Sequence, residues 1–355
     1  MNLNLSKFVP KEILTKSCGK SYSLKIANYG EKVLISNTKD KYKHKWYQRY
    51  ITIPKRCMGL WYSWPAGKNQ NQTNNSGRRY NYLLIPKYLP LDKLTLNALG
   101  LLQAEMTKGS LRKSNLSFTN SEPTAIDKII KFFFSFGLKS QDWSWSIVFN
   151  YKLKRDESRL ETKEREESSL QYWLKFSLVD SNMNRNKFIL YTGNKKYYNM
   201  RKTTIQQGSL RIDYSNIILY QLIRNILINI DKILTKNNIK YYLQGLIAGE
   251  GSVHPSAYGS VDNINIGVVN KNEQLFYQKC LLNLGINSSL EKNCVKVHNL
   301  RNFIKIYQHH LFELHPIREM KFLNSLIKFK QIPKELKEEY ASIKKEVNNY
   351  VCQMV

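Results

Sequence analysis

Long apolar runs are missing from this 355-residue chain. No stretch of about 18 consecutive apolar residues occurs, which argues against a membrane-spanning helix. The opening residues, MNLNLSKFVPKEILTK, lack the compact apolar core of a secretory signal. Cysteine is sparse as well. Cys18, Cys57, Cys280, Cys294 and Cys352 are scattered, odd in number and never arranged C-x-x-C. That spacing argues against a disulfide framework and a structural zinc site. It points to a reducing intracellular compartment, an organelle or a prokaryotic cytoplasm. Acidic residues are the third deficit: 27 Asp+Glu face 56 Lys+Arg, for a formal net charge of +29. An imbalance of that size calls for a polyanionic partner, and nucleic acid is the one expected.

What is present is unevenly distributed. Residues 1–90 hold 17 Lys+Arg against three acids. Within them, SYSLKIANYGEKVLIS (21–36) reads as two strands around an Asn-Tyr-Gly turn. KYKHKWYQRYITIPKRCMGLWYSW (41–64) interleaves basic and aromatic residues. This stretch suits either a surface that stacks unpaired bases or a small β core with Trp46, Trp61 and Trp64 inside. A polar loop, GKNQNQTNNSGRRYN, follows. LPLDKLTLNALGLLQAEMTKGS (89–110) reads as an apolar helix ending at Glu105, and PTAIDKIIKFFFSFG (123–137) has helical spacing and a terminal Gly. The mixed-charge segment 155–169 reads as a solvated helix or linker. Strand-then-helix patterns recur at 208–227 and 295–311, with a helix over 272–285 and a last helical pair near 317–329 and 334–348.

The segment YYLQGLIAGEGSV (241–253) poses the central question. Its helix is apolar throughout and then ends in Glu250, although the negative end of the helix dipole disfavours a carboxylate there. An internal repeat bears on this. GLLQAE (100–105) and GLIAGE (245–250) share a Gly, two apolar residues, a small residue before the acid, and the Glu. Gly100/Ala104 and Gly245/Gly249 are four apart, on one helix face, where absent side chains admit a second helix. The likeness continues downstream. LSFTNSEPTAIDKIIKFFFSFGL matches IGVVNKNEQLFYQKCLLNLGI, with Asn120 on Asn270, and LRIDYSNIILYQL matches VKVHNLRNFIKIY, with Ile212 on Val297. Each unit reads helix–strand–strand–helix–strand–strand–helix, the first carrying extra residues around 150–209.

In these motifs the chain resembles the LAGLIDADG family of homing endonucleases in its two-motif, single-chain form, over roughly residues 91–330. Neither copy spells the motif, and both end in Glu where Asp is commoner. The resemblance implies an α+β fold: two pseudo-symmetric αββαββα repeats forming a β-saddle. The repeats would span 91–235 and 236–355, preceded by a basic, β-rich extension over 1–90. It implies a monomeric, site-specific endonuclease that hydrolyses both strands of a long, asymmetric DNA target with Mg²⁺. Two carboxylates at negative helix ends would repel each other and the phosphates, and divalent cations remove that conflict.

The resemblance also assigns roles. Glu105 and Glu250 become metal ligands, with Ala104 and Gly249 beside them in the ligand set. Gly100, Ala104, Gly245 and Gly249 form the helix seam, and Gly251 a left-handed cap. Asn120 and Asn270 would order water at the scissile phosphate, or else serve as turn residues. His298 matches a position where the family often carries a supporting basic group, and Asp213, its counterpart, departs from that pattern. His309, His310 and His315 read as surface or core residues. DNA reading falls to Ser110, Arg112, Lys113 and Ser117 in the first repeat and to Ser252, Asn263, Asn265 and Lys271 in the second. Plain solvent exposure explains those polar residues equally well. An RNA-splicing maturase that binds intron RNA and a non-cleaving DNA-binding regulator are the alternatives. The acids in both motifs and the lack of an evident helix-turn-helix favour cleavage.

Overall fold

The computed structural model describes residues 2–14, 21–39, 46–65, 78–106, 116–150, 158–175, 184–192 and 207–354. In the N-terminal region the strands are β1 (Asn2–Asn4), β2 (Glu12–Leu14), β3 (Ser21–Ser23), β4 (Lys25–Ala27), β5 (Lys32–Lys39), β6 (Trp46–Thr52), β7 (Cys57–Pro65), β8 (Arg78–Pro86) and β9 (Tyr88–Pro90). There follow α1 (Lys93–Glu105), β10 (Leu116–Asn120), α2 (Pro123–Ser135), β11 (Ser144–Asn150), α3 (Arg159–Lys175), β12 (Asn184–Thr192), β13 (Ser209–Tyr214) and α4 (Ile217–Ile228). The last third holds α5 (Ile239–Glu250), β14 (Gly251–Pro255), β15 (Val261–Gly267), α6 (Lys271–Asn283), β16 (Ser288–Leu290), β17 (Cys294–His298), α7 (Leu300–Gln308), α8 (Pro316–Leu326) and α9 (Lys337–Met354). Among the described residues no helix is long and apolar enough to cross a membrane, and Cys57, Cys280 and Cys294 are free.

The chain divides into two compact units, one of residues 1–91, 106–121 and 130–230, the other of 92–105, 122–129 and 231–355. In the first, the basic N-terminal region is β-rich, as its patterning implies. Its three-stranded sheet runs β4-β7-β8, with β5 and β6 paired beside it. Leu60 and Tyr62 of β7 and Leu83 and Ile85 of β8 are buried on one face. On the other, Trp61 and Leu84 pack on a small cluster of Ala27, Val33 and Ile53. Trp61 is therefore half inside, with Lys25 Nζ 4.8 Å from its ring centre. The side chains of Trp46 and Trp64 lie outside the described residues. Gly30 closes the Asn-Tyr-Gly turn with φ of +84°, a conformation that β-carbons resist. The strands on either side do not pair with each other: β4 joins β7 and β5 joins β6.

The first repeat's sheet is ordered β10-β13-β11-β12. All its pairings are antiparallel except β11 with β12, which is parallel. β12 and α3 belong to the insertion, so the extra residues add an edge strand and a helix. α3 is the solvated helix its charges suggest, tethered by buried Trp173, whose indole donates to the Gln207 carbonyl at 2.9 Å. α4 begins at Asn216, whose side-chain oxygen accepts from the amides of Ile218 and Leu219.

The second repeat is α5–β14–β15–α6–β16–β17–α7, the expected αββαββα order, with sheet order β14-β15-β17-β16, antiparallel throughout. In the first repeat β10-β13-β11 reproduces the order β15-β17-β16, and the strand expected between Glu105 and β10 lies outside the described residues. Val253, Ile264, Ile266, Val295 and Val297 are buried beneath the second sheet. Sequence order assigns α1 to the first repeat. The compact unit that holds α5 also holds α1, the two helices sharing a close seam.

Candidate active site

α1 and α5 are buried along nearly their whole lengths, as expected for helices apolar on every side. Gly100 and Gly245 permit the contact. A β-carbon on Gly245 would overlap the Asn97 carbonyl oxygen and stand 2.9 Å from Leu101 N. One on Gly100 would overlap the Tyr242 carbonyl oxygen and stand 2.7 Å from Leu246 N. The obstructing atoms are backbone in every case, so neither helix can yield by rotating a side chain. Fully buried Asn97 fixes the register, its amide donating to the Tyr241 carbonyl at 2.7 Å and to Gln244 Oε1 at 3.1 Å. Gln244 donates in turn to the carbonyls of His309 and His310. These two polar residues were legible only as interruptions in apolar helices, and the sequence reading passed them over.

At the ends of the helices each acid lies against a glycine. A β-carbon on Gly249 would overlap that of Ala104 and lie 3.2 Å from Glu105 Cγ and 3.5 Å from its Oε1. The Glu105 carboxyl therefore rests against the residue that precedes Glu250. Glu250 itself extends over Gly267 of β15, where a β-carbon would stand 3.1 Å from its Oε2. Both acids are half-buried. A third carboxylate, Glu273 of α6, accepts from Gln103 Nε2 at 3.3 Å. Beside it the buried Tyr277 hydroxyl is held far above the ordinary phenol range, first by burial and then by Glu273, with Glu250 adding to the effect.

Among the described residues no group of three or more His, Cys, Asp or Glu could hold a metal by itself. The donors present, Glu105 and Glu250, are hard oxygens. They suit a cation that keeps waters and takes phosphate oxygens into its shell, as Mg²⁺ does. The Gly249 carbonyl already accepts from Arg318 Nη1 at 3.0 Å, so a metal there would share that oxygen. Arg318 also answers the puzzle of the acidic helix end: a guanidinium from α8 stands at the negative end of α5. Gly251 differs from expectation. Its φ of −75° is extended, not left-handed. Glycine is needed for room, since a β-carbon would stand 2.7 Å from Ile247 Cγ2.

From Glu250 a polar face extends across the second sheet. In register lie Ser252, Asn265, Lys296 and Ser289, one from each strand, and next to them His254, Asn263 and His298. The Oδ1 atoms of Asn263 and Asn265 are buried acceptors with no donor among the described residues. Ser252 Oγ lies 2.9 Å from His254 Nε2. Alternation places Ser252, Asn265 and Asn263 on this face, although Asn263 is only 8% exposed. His298 is exposed at its edge. Lys271 is not on a strand: it opens α6.

Other assignments fall elsewhere. Asn270 lies three residues past β15 and caps α6, its Oδ1 accepting from the amides of Asn272 and Glu273. Asn120, the last residue of β10, pairs with Leu210 and is buried. The two asparagines therefore occupy different structural positions, because the connection to the following helix is shorter in the first repeat. Ser117, expected to point outward, is 7% exposed and donates to Asp213. Asp213 also receives Arg211 Nε at 2.8 Å. The basic group absent at 213 thus reappears two residues earlier, where Lys296 is its counterpart in the second repeat. Ser110, Arg112 and Lys113 lie outside the described residues. His315 is a core residue, while His309 is half-buried and His310 exposed.

Residues 237–310, from the start of α5 through α7, match the family model of the LAGLIDADG-like domain. The matched residues lie within the second repeat. Among solved structures the chain is similar to the homing endonuclease I-DmoI in complex with DNA and Mn, at 15% identity and a TM-score of 0.33, covering 63% of this chain and 98% of that one. It is also similar to I-DmoI in complex with DNA and Ca, at 14% identity and a TM-score of 0.29, covering 72% and 98%. No curated protein matches the chain.

Proposed function

We propose that the protein is a site-specific DNA endonuclease of the homing type, acting as a single chain. The observation that carries this reading is the close α1–α5 seam that sets Glu105 against Gly249, the residue before Glu250, at the head of a polar sheet face. Glu105 and Glu250 would hold the divalent cation, which when bound supplies Lewis-acid stabilisation of charge developing on a phosphodiester. The chain's own residues do the rest. The seam fixes the spacing of the two carboxylates, while Ser252, Asn265 and Lys296 hold duplex DNA by phosphate and base-edge contacts. The net charge of +29 supplies general attraction.

The test is cleavage of DNA carrying the sequence that flanks this reading frame, with Mg²⁺. The parent protein is expected to cut both strands, and Glu250→Gln and Glu105→Gln to bind without cutting. Undiminished cutting by both variants would overturn the assignment. The basic N-terminal region, with Lys25 over Trp61, favours a maturase activity as the second reading. Binding to structured intron RNA stronger than to duplex DNA across a salt titration would select it.

A further inference from the structure

Arg318 is the strongest feature outside the two candidate metal ligands. It lies in the first turn of α8, half-buried, and its Nη1 donates to three successive carbonyls of α5: Ile247 at 3.0 Å, Ala248 at 2.6 Å and Gly249 at 3.0 Å. These belong to the last helical turn, where the chain leaves for β14 and carbonyls lack their usual partners. Its own position is set by His315, which caps α8 by accepting the Arg318 amide on Nδ1 at 3.3 Å. With Nδ1 as acceptor, the ring proton belongs on Nε2, which faces Glu122 Oε1 at 3.6 Å. His315 and Glu122 are 3% and 8% exposed. A continuous chain of contacts therefore runs from Glu122 through His315 and Arg318 to the turn that carries Glu250.

We propose that Arg318 is a positioning residue for Glu250: it pins the end of α5 and supplies permanent positive charge there, so that the carboxylate stands ready before a cation arrives. The proposal rests on the reading of Glu105 and Glu250 as the cation site. The helix end carries roughly half a negative charge, which two adjacent carboxylates aggravate. A guanidinium stays charged at any working pH and fans its donors across several acceptors, which a lysine ammonium on a flexible stem does less well. The opposite expectation is simple repulsion, in which a nearby cation weakens metal binding and its removal tightens it. The aim of Nη1 at three backbone oxygens favours anchoring.

The experiment titrates the full chain with Mn²⁺, followed by paramagnetic resonance, using the parent, Arg318→Met, Arg318→Lys and the double variant Glu105→Gln/Glu250→Gln as the reference for no site. Amide exchange at Gly251, whose N–H bonds the Ile247 carbonyl, is followed alongside. In Arg318→Met the Mn²⁺ concentration for half-saturation is expected to rise about tenfold, the usual effect of removing a residue that orients a ligand. Exchange at Gly251 should quicken beyond that of β17, and Arg318→Lys should recover part of both. Unchanged or tighter Mn²⁺ binding overturns the proposal, as does Gly251 exchange that rises only in step with β17. If the parent binds Mn²⁺ no better than the double variant, the cation reading itself fails, and the positioning proposal, which rests on it, falls with it. Should Arg318→Met not fold, Arg318→Lys serves the same comparison with a smaller expected rise.

Discussion

Glu105 and Gly249 meet across the α1–α5 seam, with 3.5 Å between the acid's Oε1 and the place a β-carbon on Gly249 would occupy. The missing methyl is thus what lets Glu105 lie against the end of α5. Gly249→Ala would press on Ala104 and Glu105 together. A folded protein is expected, less stable by about 1–3 kcal/mol, whose cleavage rate falls more than its DNA affinity. Single-turnover cleavage and metal-free binding, measured side by side, check this.

Gly245→Ala meets a harder obstacle, since the Asn97 carbonyl and Leu101 amide cannot rotate away. Its cost is expected at the upper end of overpacking, about 3 kcal/mol or more, read as a lower urea midpoint. A wild-type midpoint would mean that the helices are not in contact at this residue.

Asn97→Leu tests the polar clasp in the same seam. Leucine fills the volume but leaves the Tyr241 carbonyl and Gln244 Oε1 without their donor. The expected loss is about 1–3 kcal/mol, checked by chemical denaturation.

Lys296 lies between Asn265 and Ser289 on the outward face, with Glu291 3.6 Å away. Lys296→Ala should weaken DNA binding alike for target and unrelated sequences and reduce the salt slope by about one. A change confined to the target sequence would instead make Lys296 a base-reading residue.

His309 gives the pH dependence. Burial, and then Lys240, His310 and Lys305, push its imidazole below the ordinary value, with a hydrogen bond to Leu284 opposing. The folded state therefore binds the proton less readily than the unfolded chain. The stability His309 contributes is complete above the ordinary imidazole range and is lost as pH falls through the lowered value. The thermal midpoint should drop between about pH 7.5 and 5.5, and less so in His309→Gln.

Much of this molecule is legible in its residues. The Gly100/Gly245 repeat marks the two seam helices, and the charges of 155–169 mark a solvated helix. Asn120 and Asn270 show where such reading stops. Matched letters suggested matched roles, yet one residue closes a strand and the other caps a helix, because strand register depends on partners remote in sequence. Arg318 was invisible for the same reason, since nothing local distinguishes it from the other basic residues. Ser117 was assigned to DNA reading as a polar strand residue, but Asp213 and Arg211, almost a hundred positions away, draw it inward.

The sequence by itself determined the order of helices and strands, the duplication, the positive charge and the two motif acids, since periodicity, small-residue spacing and composition are local properties. Tertiary structure alone decided that α1 packs with α5, that Glu105 rests against Gly249, and that a guanidinium from α8 closes the helix beneath Glu250. Those contacts join residues tens to hundreds of positions apart, and only closure of the backbone in three dimensions brings their atoms within reach.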